Sequence, residues 1–177
     1  MAWSEHVNNV SAKASRTLAF LRRNLKTASV GLKARAYKAL VRPQLEYACT
    51  VWDPHTQKHI DQLESVQRRA ARFALSDYRS TSSVSDMLTK LEWPTLQERR
   101  KSCRHAMFKK ILNKEVAVRA TLKPLPSRSR RGHGQQIQLI QCRTQYRQNS
   151  FFPRTISEWN SLPQSAVEES QNLEPNL

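Results

Sequence analysis

The sequence predicts a mainly α protein, a small helical bundle followed by a basic linker and a short strand-plus-helix segment at the C-terminal end. Three observations predict it. Apolar residues recur at helical spacing through most of the first 116 positions, hydroxyl-to-carboxylate capping pairs mark helix starts, and proline-led breaks separate the periodic runs. At 177 residues, with 38% hydrophobic and 25% charged residues, the chain suits one domain or one domain with an appendage, and it carries enough apolar material for a modest core.

Residues 6–24 form the first predicted helix, because Val7, Val10, Ala14, Leu18 and Leu21 fall three and four apart while Lys13, Arg16 and Arg23 lie on the other side. Ser29 suits the N-cap of a second helix with Leu32, Ala36, Ala39 and Leu40 as its apolar set. Pro43, which lacks an N–H, interrupts or kinks this helix. A dense apolar cluster, LEYACTVW, follows. It stops at Asp53-Pro54, since the residue before proline is pushed out of helical space.

The best amphipathic pattern starts near Thr56. It sets Ile60, Leu63, Val66, Ala70 and Phe73 on one face and Arg68, Arg69 and Arg72 on the solvent side. Ser83 with Asp86, and Thr95 with Glu98, match the capping box, predicting a short helix before Trp93-Pro94 and a longer one after it. In the longer helix Leu96, Cys103, Met107 and Ile111 are the expected apolar set. LKPLPSRSRRGHGQ reads as a loop, Gln136 to Tyr146 as a strand or extended segment, and FFPRTISEWNSLP as a short helix with an aromatic anchor. The expected organisation is a helical domain over 1–118, a basic linker over 119–136, an extension over 137–165 and a disordered acidic tail over 166–177.

Charge narrows function. Lys and Arg number 30 against 14 Asp and Glu, a formal charge of +16. Between His6 and Leu45 there is no acidic residue, and the same holds from Val116 to Ser157. Nucleic acid is the partner that best uses such one-signed blocks, because each neutralised phosphate releases counterions. An anionic membrane surface fits less well, since the first block has the apolar residues for a core stripe but no broad bulky face. No signal peptide or membrane span is read, which sets the expected location inside the cell, nuclear or cytoplasmic.

Candidate chemistry is sparse. With three glycines and no strand-led Gly-rich loop, phosphate cradles of the P-loop or dinucleotide kind are excluded. Cys49, Cys103 and Cys142 lack zinc spacing and read as reduced thiols. His55 and His59 share a helical face beside Asp53, a spacing that can hold a metal, but capping and solvation of the helix start is favoured about five to one. Cys103 and His105 point to different faces of their helix. No pair of converging aspartates suits two-metal phosphoryl transfer. No catalytic residue, metal, cofactor or small-molecule substrate is therefore assigned.

Three long, ordered motifs, VRPQLEYACTVWDPHT, LESVQRRAARFALSDYRSTSSVSDMLTKLEWPTLQERR and NSFFPRTISEWNSLP, resemble the C-terminal part of the reverse transcriptases of jockey-like non-LTR retrotransposons. The stretch AWSEHVNNVSAKASRTLAFLRRNL is similar to that family's segment just after the palm, so the resemblance extends over nearly the whole chain. It implies the thumb-like region and C-terminal extension of an RNA-directed DNA polymerase, whose role is to hold the template-primer against the palm. The palm and its catalytic aspartates are expected before Met1, so this chain is expected to be non-catalytic. By the same resemblance, Arg22, Arg23, Arg68, Arg69 and Arg72 are candidate contacts to RNA, DNA or an RNA–DNA hybrid, and Trp52, Asp53, Trp93, Trp159 and Pro163 are structural positions. Two other readings stand beside it: a protein-interaction module that self-associates through Trp-rich apolar surface, and a mobile-element remnant without selected function.

Overall fold

A computed structural model of the chain describes residues 3–118, 121–125, 133–165 and 167, and it is mainly α. Two compact units divide at Lys101 and Ser102, within a helix rather than after Val118. Residues 126–132, the middle of the expected linker, and 168–177, most of the expected tail, lie outside the described residues.

In the unit Met1–Lys101, α1 (Ser4–Asn24) buries Val7, Ser11, Ala14, Leu18 and Leu21, the predicted stripe with Ser11 added and Val10 half-buried. The second predicted helix is a composite of α2 (Val30–Ala36), a wide π turn (Tyr37–Val41) and α3 (Arg42–Glu46). Ser29 Oγ caps it by accepting from Leu32 N–H. Pro43 does not end it. The Arg42 N–H reaches back five residues to Tyr37 O, and the chain runs on with Pro43 in the first turn of α3. The same turn explains why the expected apolar set is not the buried one. Leu32 and Leu40 are exposed, and Lys33, Tyr37, Val41 and Leu45, spaced by four, face inward. Four-residue spacing outruns a 3.6-residue period, and a widened turn brings the stripe back into line.

α4 (Cys49–Trp52) ends at Asp53, as the following proline requires. Its Trp52 is buried, with the indole N–H donating to Tyr47 O, whereas Tyr47 and Val51 of the same apolar cluster point to solvent. α5 (Gln57–Leu75) buries all five predicted residues and packs on α1 and α2. α6 (Val84–Lys90) is capped by Ser83 Oγ, which accepts from Asp86 N–H. α7 (Leu96–Leu112) opens with the full reciprocal box: Glu98 N–H donates to Thr95 Oγ1, and Thr95 N–H donates to Glu98 Oε2.

α7 departs most from expectation. Its buried positions are Leu96, Arg100, Arg104 and Phe108, while Cys103, Met107 and Ile111 are half-buried. Arginines enter a buried stripe only with carboxylate partners. Arg100 Nε donates to Asp53 Oδ1 at 2.9 Å with both side chains almost fully covered, and the neighbouring Arg99 clasps Glu46 with both Nε and Nη2. Asp53 is thus held in a buried ion pair. A neutral network lies beside these pairs. Tyr37 stacks on Trp93 with ring centroids 4.3 Å apart, its hydroxyl donates to Gln67 Oε1 at 2.8 Å, and Gln67 Nε2 donates to Pro94 O at 2.8 Å. Burial pushes the Tyr37 phenol well above its ordinary pKa, and the charge of Glu46 adds to the shift.

In the unit Ser102–Leu177, Phe108, Ile137, Ile156, Trp159 and Val167 make the core, with Leu122, Phe151 and Phe152 packed around it. Leu122 and His133 of the expected linker and Val167 of the expected tail therefore take part in packing. α8 (Gln145–Gln148) is a single turn, and α9 (Phe151–Asn160) is the helix predicted from FFPRTISEWN. The expected strand is not formed among the described residues. The segment makes one antiparallel bridge, Pro124 to Ile137, flanked by Leu125 N–H to Gln136 O and Gln138 N–H to Lys123 O. Asn160 substitutes for a further strand, since its side chain both donates to Ile137 O and accepts from Ile137 N–H. No helix among the described residues is long and apolar enough to cross a membrane.

Candidate nucleic-acid interface

Most cations of the acid-free segment are exposed on the first unit. Lys13, Arg16, Arg22, Arg23 and Lys26 of α1 and the turn after it, with Arg35 and Lys38 beyond, are exposed, and none has a carboxylate partner among the described residues. Two cations of the segment are placed differently. Arg42 lies 3.9 Å from Glu46. Lys33 is buried, its ammonium donating to Ser76 Oγ at 2.6 Å and lying over the Phe73 ring. That position at the C-terminal end of α5 is where a helix dipole favours a cation.

The five predicted arginines fall into three groups. Arg22 and Arg23 border an open depression with Ala19, Lys26 and Tyr78, and the Arg22 guanidinium lies over the Tyr78 ring, 5.2 Å from its centroid. Arg69 and Arg72 lie on the same α1–α5 side but hold structural bonds. Arg69 Nη2 donates to Ser15 Oγ on α1 at 3.0 Å, and Arg72 Nη1 donates to Arg79 O at 2.8 Å. Arg68 is exposed elsewhere, along a second depression with Asp61, Glu64, Val84 and Leu88. The RRxxR spacing therefore does not act as a single patch: Arg69 and Arg72 are engaged by Ser15 and the Arg79 carbonyl, while Arg68 lines the second depression.

Sequence reasoning missed Tyr78, Arg79 and the role of Lys26. The signal was present in SDYRS, an aromatic residue alone in a polar loop with no apolar neighbour to bury it against. Ser76, at φ 54°, ends α5 in the left-handed conformation and aims this loop back towards α1. Asp77 then fixes it. Its carboxylate accepts from Arg79 N–H, Nε and Nη2 and from Ser82 Oγ, and the Arg79 and Ser82 bonds hold it well below the usual carboxylate range.

His59 Nδ1 is 2.9 Å from Thr56 Oγ1 at the start of α5, Asp53 is bonded to Arg100, and no group of three or more metal-ligating side chains forms among the described residues. His105 Nε2 lies 3.3 Å from Glu158, a carboxylate that also takes both oxygens' bonds from Arg104 and one from Arg154. Burial pushes Glu158 up, but the His105 and Arg104 hydrogen bonds and the two guanidinium charges outweigh it and hold the carboxyl at about 2. His133 Nε2 is 2.8 Å from Trp159 O, beneath the edge of the Trp159 ring. Trp52, Trp93 and Trp159 are buried, and Trp3 is half-buried against His6, so a Trp-rich surface is not what the first and second units present. Comparison with protein-family models, curated proteins and solved structures gives no match for this chain.

Proposed function

We propose that this chain is a non-catalytic nucleic-acid-binding module, a thumb-like segment of a non-LTR retrotransposon reverse transcriptase that grips the backbone of a template-primer. The observation that carries the reading is the exposed basic face of α1 and the turn after it, where Arg22, Arg23 and Lys26 stand without carboxylate partners. Surface cations of a purely structural kind pair with acids one helical turn away, as Arg42 does with Glu46. A row with no such partner keeps its charge for a polyanion, and counterion release supplies the free energy of capture.

The test is a salt titration of the purified chain against a labelled RNA–DNA hybrid, single-stranded RNA and duplex DNA. Binding should weaken steeply with salt, and Arg22→Ala, Arg23→Ala and Lys26→Ala together should lower the log–log slope by about 3 for a duplex, roughly one per lost phosphate contact. Preference for the hybrid supports the polymerase-derived reading. A folded chain that binds none of the three at low salt refutes it, as does a slope unchanged by the triple substitution.

A further inference from the structure

The depression beside Tyr78 is built for more than phosphates. It measures about 620 Å3, within the roughly 300–1,000 Å3 range of small-ligand sites, and small Ala19 leaves its floor open between the cations and the ring. Tyr78 is 54% exposed, a large apolar face in a loop otherwise made of Ser, Thr, Asp and Arg. The ring is nonetheless held in place. Asp77 locks the backbone of Arg79, Arg72 pins the Arg79 carbonyl to α5, and Arg22 stands over the ring at 5.2 Å. Asp77 is taken up by Arg79 and Ser82, which leaves Arg22, Arg23 and Lys26 as the uncompensated charges at the rim.

An aromatic face, a guanidinium over it at 5.2 Å, and two further cations beside them are the elements that recognise a nucleotide: a π surface for the base and charges for the flanking phosphates. A duplex offers the cations its phosphates but keeps its base faces stacked inside. We infer that the Tyr78–Arg22 cleft is a stacking site for an unpaired nucleobase, with Arg23 and Lys26 holding the adjoining phosphates, so that the module engages single-stranded as well as paired nucleic acid. The inference rests on the nucleic-acid reading above and adds a base-dependent contribution that backbone contacts alone cannot supply.

The experiment compares the full chain's affinity for a labelled oligothymidylate of about 10 nucleotides with that for an abasic strand of the same length and charge, a length within the usual single-strand site size. Wild type should favour the base-bearing strand by roughly 5- to 100-fold, the range expected for stacking one base. Tyr78→Ala should bring that ratio close to one while leaving the abasic affinity unchanged, and Tyr78→Phe, which keeps the ring, should retain it. Circular dichroism of each variant checks that the helices persist. A wild-type chain that binds both strands equally, or a Tyr78→Ala variant that keeps the full base preference, overturns the stacking site while leaving phosphate binding intact. Failure to bind either strand overturns the stacking site, and the hybrid and duplex titrations above then decide the nucleic-acid reading separately.

Discussion

Replacing Tyr37 by Phe and Gln67 by Leu, singly and together, tests whether the buried polar network beside Trp93 acts as one unit. Both side chains are essentially inaccessible, at 1% exposure each, so neither can turn to water when its partner is lost. Tyr37→Phe removes the donor and strands Gln67 Oε1, which costs about 1–3 kcal/mol for an unsatisfied buried acceptor. Gln67→Leu strands the Tyr37 hydroxyl at a similar cost. It also frees Pro94 O, but Pro94 is exposed and its carbonyl is re-solvated cheaply. The double variant leaves neither group behind and, because both replacements are close in shape to the originals, should lie within about 1 kcal/mol of wild type. The sum of the singles and the double thus differ by about 1 kcal/mol or more. Urea unfolding followed by tryptophan fluorescence reads this, since a loss of about 2 kcal/mol moves the midpoint by about 1 M at an ordinary m-value. Destabilisations that add to within about 0.5 kcal/mol would refute the coupling, as additivity is the behaviour of independent sites.

Three further outcomes follow from the same structure. Glu158 is held at about 2 against about 4.5 in the unfolded chain, so its contribution is present above pH 4.5 and is lost as pH falls towards 2. Because the group is partly solvent-screened, the contribution is about 1 kcal/mol, and Glu158→Gln should flatten the acid limb of a stability-versus-pH curve in that window. Trp159→Ala removes the 2%-exposed centre of the second core and the indole bond to Gln135 O. It should cost about 3–5 kcal/mol and be read as lost hydrogen-exchange protection across Phe151–Asn160. Glu92 and Lys114 hold left-handed positions after α6 and α7, at φ 54° and 61°, so replacing each by Gly should raise thermal stability by about 1 kcal/mol in differential scanning calorimetry.

Periodicity was sufficient wherever one element sees one environment. α1 and α5 carry their apolar residues at 3.6-residue spacing, and the face read from the sequence is the face that is buried. Caps were equally legible because they are local, a hydroxyl and a carboxylate three residues apart at Thr95 and Glu98. The second helix and α7 were misread for one shared reason. Each buries residues four apart, and in each the buried set includes cations, Lys33 in one and Arg100 and Arg104 in the other, whose partners, a serine hydroxyl for Lys33 and carboxylates for the arginines, lie tens of residues away in sequence. The left-handed helix ends escaped notice too, because Ala48, Ser76, Glu92 and Lys114 take positions at which glycine is the usual signal.

By itself the sequence determined a helical, strongly basic chain with a one-signed first segment, since secondary-structure propensity, capping and net charge are properties of neighbours along the chain. It also singled out the five arginines. Only the tertiary structure decided how they divide: Arg22 and Arg23 beside Tyr78, Arg69 and Arg72 in structural bonds, Arg68 along a separate depression. A cleft is made of residues more than fifty positions apart, as Arg22 and Tyr78 are, and their meeting depends on how α1 packs on α5 and on the turn at Ser76, which no local pattern encodes.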